Sequence, residues 1–134
     1  MTDLKKTKSK TTKNILNVIK ESLEADKAKD IIIISLAGKT DIAENMVIAS
    51  GRSARHVDAT SDHLITNLKN AGIKGLLSEG RENSDWVLID TGFVIINIFR
   101  PEVRAHYDLE KLWGPETSNK KLKQVILTQS RYWA

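Results

Sequence analysis

The stretch Asp85-Trp-Val-Leu-Ile-Asp90, a break at Thr91-Gly92, and Phe93-Val-Ile-Ile-Asn-Ile-Phe99 leaves the fold little freedom. β-Branched and aromatic residues fill both runs, and Gly92 supplies a turn, so the stretch predicts a two-stranded hairpin. Side chains alternate faces along a strand, which puts Val87 and Ile89 on one face and Trp86, Leu88 and Asp90 on the other. The aliphatic face asks for a core. The face of Trp, Leu and acid suits a partner, and suits equally a Trp86 that is simply a core or edge aromatic.

A chain of 134 residues is long enough to build one domain around that hairpin. It has no cysteine, which excludes a disulfide, a thiolate zinc site and a thiol nucleophile and fits a cytoplasmic location. The longest apolar runs, Ile31–Ile34 and Phe93–Ile96, are far too short to span a bilayer. The lysine-rich residues 1–29 lack the apolar core of a signal peptide, so no membrane role is expected.

Net charge is +4, unevenly spread. Residues 1–14 carry five lysines and one acid, residues 115–134 four basic groups and one acid, and residues 15–114 fifteen acids against twelve basic groups. A mildly acidic body between basic ends suits a basic protein partner better than nucleic acid. The basic ends read as solvated tails whose lysines could touch RNA phosphate.

In chain order, residues 1–13 are Thr/Lys-rich and read as unstructured, with Thr11, Thr12 or Asn14 capping the helix that follows. Ile15, Ile19 and Leu23, with Leu16 beside them, form that helix's apolar stripe, and it should end near Ala28-Lys29. Asp30–Leu36 is apolar on both faces and predicts a central, doubly covered strand. Asn45–Ser50 predicts a second strand, and Ser53 caps a helix to about Asn70 with Gly72 just past its end. Ile73–Leu77 predicts a short strand, and residues 78–84 a loop carrying Glu79 and Glu82. After the hairpin, Pro101 suits a helix start, with an amphipathic pattern to Trp113 and a stop at Gly114-Pro115. Leu122, Val125, Ile126 and Leu127 permit a short helix near the end. The predicted order is α-β-β-α-β-β-β-α, a mixed sheet of mostly five strands packed by helices in an α/β domain.

Several catalytic patterns fail on spacing. Gly38-Lys39-Thr40 lacks the glycine a phosphate loop needs five residues earlier, where Ile33 stands, so Lys39 reads as a solvent-exposed loop residue. Gly51-Arg52-Ser53 lacks the glycine of a nucleophile elbow, where Arg55 stands. His56 and His63 lie seven apart without a third ligand at zinc spacing, so solvent-facing or capping roles fit both. No Asp-x-Asp pair exists to hold magnesium for nucleotidyl transfer. The residues therefore point to no enzyme, cofactor or metal; the alternative is a nucleotidyltransferase-like enzyme or nucleotide-binding protein.

Taken in order, Gly38-Lys39-Thr40, Met46-Val-Ile-Ala-Ser-Gly51, Ser53-x-Arg55-His56-Val57, Gly75, Glu79-Gly80, Asp85-Trp86-Val-Leu-Ile-Asp90 and Tyr107-x-Leu109-Glu110-Lys-Leu112-Trp113 resemble the ribosomal silencing factor family, also called Iojap-like. The resemblance covers about residues 15–114, leaving basic tails at 1–14 and 115–134. It implies a mixed α/β domain, related in shape to nucleotidyltransferases, that acts as a monomer or homodimer. It implies binding to the large ribosomal subunit through ribosomal protein L-fourteen, a block on small-subunit joining, and lowered translation. It places Trp86 on the partner-facing strand with Asp85, Leu88 and Asp90, puts Glu79 in an adjoining loop, and adds Tyr107, Glu110 and Trp113 from the terminal motif. The chain departs from the family at Glu44, where Asp is usual, at the Thr91-Gly92-Phe93 turn, and at Asn97, where histidine is common.

Overall fold

Short turn signals, more than strand propensity, fix where the elements begin and end. The structure, a computed structural model, describes residues 3–108, with side chains from residue 12 onward. Helix α1 spans Asp3–Ala25, strand β1 Lys29–Ser35, β2 Asn45–Ser50, helix α2 Ala54–Asn70, β3 Leu77–Glu79, β4 Trp86–Asp90, β5 Val94–Phe99 and helix α3 Pro101–Tyr107. This is the order the sequence predicts.

α2 shows the local logic most clearly. The Ser53 hydroxyl accepts the His56 amide at 3.1 Å and caps the helix start. At its end Gly72 takes φ +88°, and the Gly72 and Ile73 amides donate to the Lys69 and Leu68 carbonyls. α1 closes in the same way with Lys27 in the left-handed position at φ 59°. It starts at Asp3, well before the expected cap at 11–14. Residues 3–25 contain no Gly or Pro, and lysine is a good helix former, so nothing in that stretch interrupts a helix.

The five strands form one mixed sheet in the order β1-β2-β5-β4-β3. β2 and β5 are parallel, and the other neighbours are antiparallel. One face packs α1 and α2: Ile15, Ile19 and Leu23 of α1 and Val57, Leu64 and Leu68 of α2 bury against Val47, Val87, Ile89 and Ile96. Trp86, Phe99, Met46, Ile48 and Ile95 form a second core on the opposite face, with Val103 and Tyr107 of α3 packed on it. Each fully buried aliphatic or aromatic side chain contributes about 1.5–3 kcal/mol. The hairpin's two faces thus divide by parity as expected. Gly51 sits where the chain passes under α2; a Cβ there would lie 2.8 Å from Val57 Cγ2, so only glycine fits.

Three expectations are corrected. β1 is an edge strand, not a central one, and Ile32 and Ile33 are 37% and 44% exposed. The apolar run records neither how well the faces of β1 are covered nor whether a second neighbour exists. The short third strand lies at residues 77–79 instead of 73–77, so Glu79 stands on a strand. Lys39 is half-buried, in a turn where the Lys39 and Thr40 amides donate to the Leu36 carbonyl. Glu110, Trp113 and residues 115–134 lie outside the described residues.

Candidate docking face on the hairpin

The hairpin turn is held by side chains. The Asp90 carboxylate accepts the Gly92 amide at 2.8 Å, Gly92 sits at φ +90°, and the Thr91 hydroxyl accepts the Val94 amide at 2.9 Å. Thr91 and Asp90 therefore close the turn despite its departure from the family pattern. This fixes the register Trp86↔Phe99, Leu88↔Asn97 and Asp90↔Ile95. On the other side of β4, Leu77 pairs with Asp90 and Glu79 with Leu88.

Directly opposed residues share a face. Two rows therefore cross the sheet on the Trp86 side: Leu77, Asp90, Ile95, Met46 and Ile34, and Glu79, Leu88, Asn97, Ile48 and Ile32. Each row is open at its β3 end and closed in the middle of the sheet. Leu77 is 66% exposed, whereas Ile95 and Met46 are 3% and 1%. Leu88 and Asp90 are half-buried and Glu79 is exposed. The open end is a two-by-two checkerboard, with a leucine opposite an acid in each row and the order reversed between rows. Charged and apolar groups alternating on an open sheet edge make a surface for protein contact.

The closed end belongs to the core. Trp86 is fully buried, with ring centroids 4.7 Å from Phe99 and 4.6 Å from Tyr107. Its indole N–H donates to Asn97 Oδ1 at 2.8 Å. The expectation that Trp86 faces a partner is corrected: the structure places it as a core aromatic, because α3 lays Tyr107 over it. Tyr107, half-buried, meets Trp86 directly. Asp85 stands apart from both ends, its carboxylate 2.6 Å from Arg100 Nε and its carbonyl accepting the Arg100 amide. Of the predicted site residues, then, the structure gathers Glu79, Leu88 and Asp90 into one partly open patch and puts Trp86 beneath a half-buried Tyr107.

Sequence reasoning missed Leu77, the most exposed large apolar residue described, and Arg104. Leu77 gave no signal, because its face depends on the Leu77↔Asp90 register. Arg104, nearly buried, donates from Nη1 to Ser50 Oγ at 2.7 Å and ties α3 to the end of β2. The two histidines share a structural task. His56 Nδ1 accepts the Arg52 amide and Nε2 donates to the Asp26 carbonyl, while His63 Nδ1 bonds the Asp26 carboxylate at 2.7 Å. Both join the end of α1 to α2 instead of facing solvent alone. Among the described residues no group of three or more His, Asp or Glu side chains could hold a metal ion, and no helix is long and apolar enough to cross a membrane.

The molecule is thus defined as a mixed-sheet α/β domain with helices on both faces and a partly open patch at the β3 edge. A crystal structure of a Chromobacterium violaceum protein has the same architecture, with a TM-score of 0.74 at 37% identity over 80% of this chain and 89% of that one. The family model described as ribosomal silencing factor during starvation matches residues 9–132, and the chain belongs to that family. Ribosomal silencing factor RsfS of Zymomonas mobilis is 45% identical over 117 residues, 85% of this chain and 86% of the relative. A mouse protein named mitochondrial assembly of ribosomal large subunit protein 1 is 29% identical over 82% of this chain and 50% of its own length.

Proposed function

We propose that this chain binds the large ribosomal subunit through ribosomal protein L-fourteen and blocks joining of the small subunit by occupying its place, so that translation falls. Membership of the silencing-factor family supports the outcome, and the mouse relative's name supports the choice of subunit. The observation that carries the site is the partly exposed checkerboard of Leu77, Glu79, Leu88 and Asp90. Its leucines supply area to desolvate, and its acids steer a basic partner and fix orientation. A domain of about 100 residues has a radius of gyration near 13 Å, enough to exclude another body from a shared surface. Occlusion needs no catalytic group. Lys5, Lys6, Lys8 and Lys10 would add salt-dependent contacts to ribosomal RNA phosphate.

Cosedimentation with isolated large subunits, small subunits and whole ribosomes tests the proposal. The expected result is binding to large subunits alone, with reduced subunit joining and weaker binding in Leu77→Asp. Equal binding of wild type and Leu77→Asp would move the contact surface elsewhere. Sedimentation with neither subunit would overturn ribosome binding altogether.

A further inference from the structure

β3 is the last strand of the sheet, and among the described residues nothing pairs with its outer edge. All three of its residues are exposed. Alternate residues of a strand turn their N–H and C=O groups toward opposite neighbours, so part of the β3 main chain points away from β4 with its hydrogen-bonding groups free. Such an edge accepts an added strand. The edge carries one charge, Glu79, whose carboxylate makes no ion pair among the described residues and so admits only a strand that answers it, while the neighbouring Leu77 is 66% exposed.

We infer that the partner docks by strand addition: an extended segment of a basic protein pairs along β3, with an apolar side chain opposite Leu77 and a Lys or Arg two residues away opposite Glu79. The inference rests on the proposed large-subunit binding and deepens it by naming the partner segment's shape and chemistry. The spacing follows from the sheet. Leu77 and Glu79 are two apart on one face, so an added strand must present its matching pair with the same period. The charge follows from what lies behind them. Glu79 stands beside Leu88, and Asp90 behind Leu77 keeps the second row acidic as well. An incoming carboxylate would meet like charge in both rows, whereas a lysine or arginine meets opposite charge in both. Main-chain bonds supply affinity and the Leu77 and Glu79 positions supply selectivity, the division of labour of strand addition.

Hydrogen–deuterium exchange of the full chain, alone and with purified large ribosomal subunits, distinguishes strand addition from side-chain docking. Strand addition slows exchange of an outward-facing amide within residues 77–79 by about tenfold or more on binding. Glu79→Lys, at an exposed position, weakens binding by roughly tenfold while Glu79→Gln retains most of it. Binding with unchanged exchange at 77–79 overturns strand addition and leaves large-subunit binding standing. Protection at 77–79 with Glu79→Lys binding as tightly as wild type overturns the basic side chain in the proposed pairing. No binding of the wild-type chain overturns both the strand pairing and the proposed function.

Discussion

The two ends of one sheet face make opposite demands on the chain. At the closed end, Trp86, Phe99 and Tyr107 stack within 4.7 Å, and Asn97 accepts the indole N–H. At the open end, Leu77, Glu79, Leu88 and Asp90 cover one another only in part. They meet on strand β4, where Trp86 and Leu88 lie two residues apart. The difference is coverage: α3 closes over the Trp86 end, and no described element closes over the Leu77 end. Residue type alone therefore misleads. The large aromatic that looks like an anchor holds the core, and a leucine without any motif faces outward. Substitutions at the closed end should change stability, and those at the open end should change binding.

Trp86→Ala carries the largest expected effect. It empties the centre of the second core and removes the ring packed between Phe99 and Tyr107, a loss of about 3–5 kcal/mol. Urea unfolding measures it. Any lost ribosome binding should then track the unfolded fraction; a variant that remains fully folded yet fails to bind would show that Trp86 reaches the partner after all. Asn97→Leu comes next. It leaves the buried indole N–H without its acceptor, at a cost of about 1–3 kcal/mol, visible in the same unfolding curves.

Leu77→Asp inverts the pattern. The side chain is already mostly in water, so stability should stay within about 0.5 kcal/mol of wild type. Affinity for large subunits should fall by roughly tenfold, equivalent to about 1.4 kcal/mol. A cooperative unfolding midpoint that drops as far as that of Trp86→Ala would erase the distinction between the two ends.

The legible part of this fold was its punctuation and parity. Gly51, Ser53 and Gly72 fixed the ends of β2 and α2, because a clash, a cap and a left-handed residue act within a few positions. Val87 and Ile89 were placed on a core face from alternation alone, and α1 and α2 pack there. What failed depended on distant neighbours. The run Ile31–Ile34 looked central because its composition carries no record of an absent strand beyond β1. Trp86 stayed open between partner and core because parity gives the face and says nothing of what α3 lays on it. Glu79 and Asp90 were named from motif resemblance, but their adjacency to Leu77 and Leu88 waited for the β3–β4 register.

Asp85 gives the smallest effect and the finest test of where the open end stops. It neighbours Trp86 in sequence but leaves the strand and binds Arg100, with side chains 27% and 35% exposed in the pair. Arg100 also lies 3.2 Å from Glu102, so loss of one acid leaves the guanidinium a second partner. A pair exposed to this degree contributes about 0.2–1 kcal/mol, screened by salt. Asp85→Asn keeps the side-chain shape and an acceptor oxygen for Arg100 Nε, so its cost should sit at the low end of that range. The main-chain bond from the Arg100 amide to the Asp85 carbonyl is untouched. Large-subunit affinity should then be unchanged within experimental error in a titration at physiological salt. A loss of affinity comparable to that of Leu77→Asp, with stability intact, would extend the docking surface from the checkerboard past the Trp86 end and make the carboxylate of Asp85 part of it.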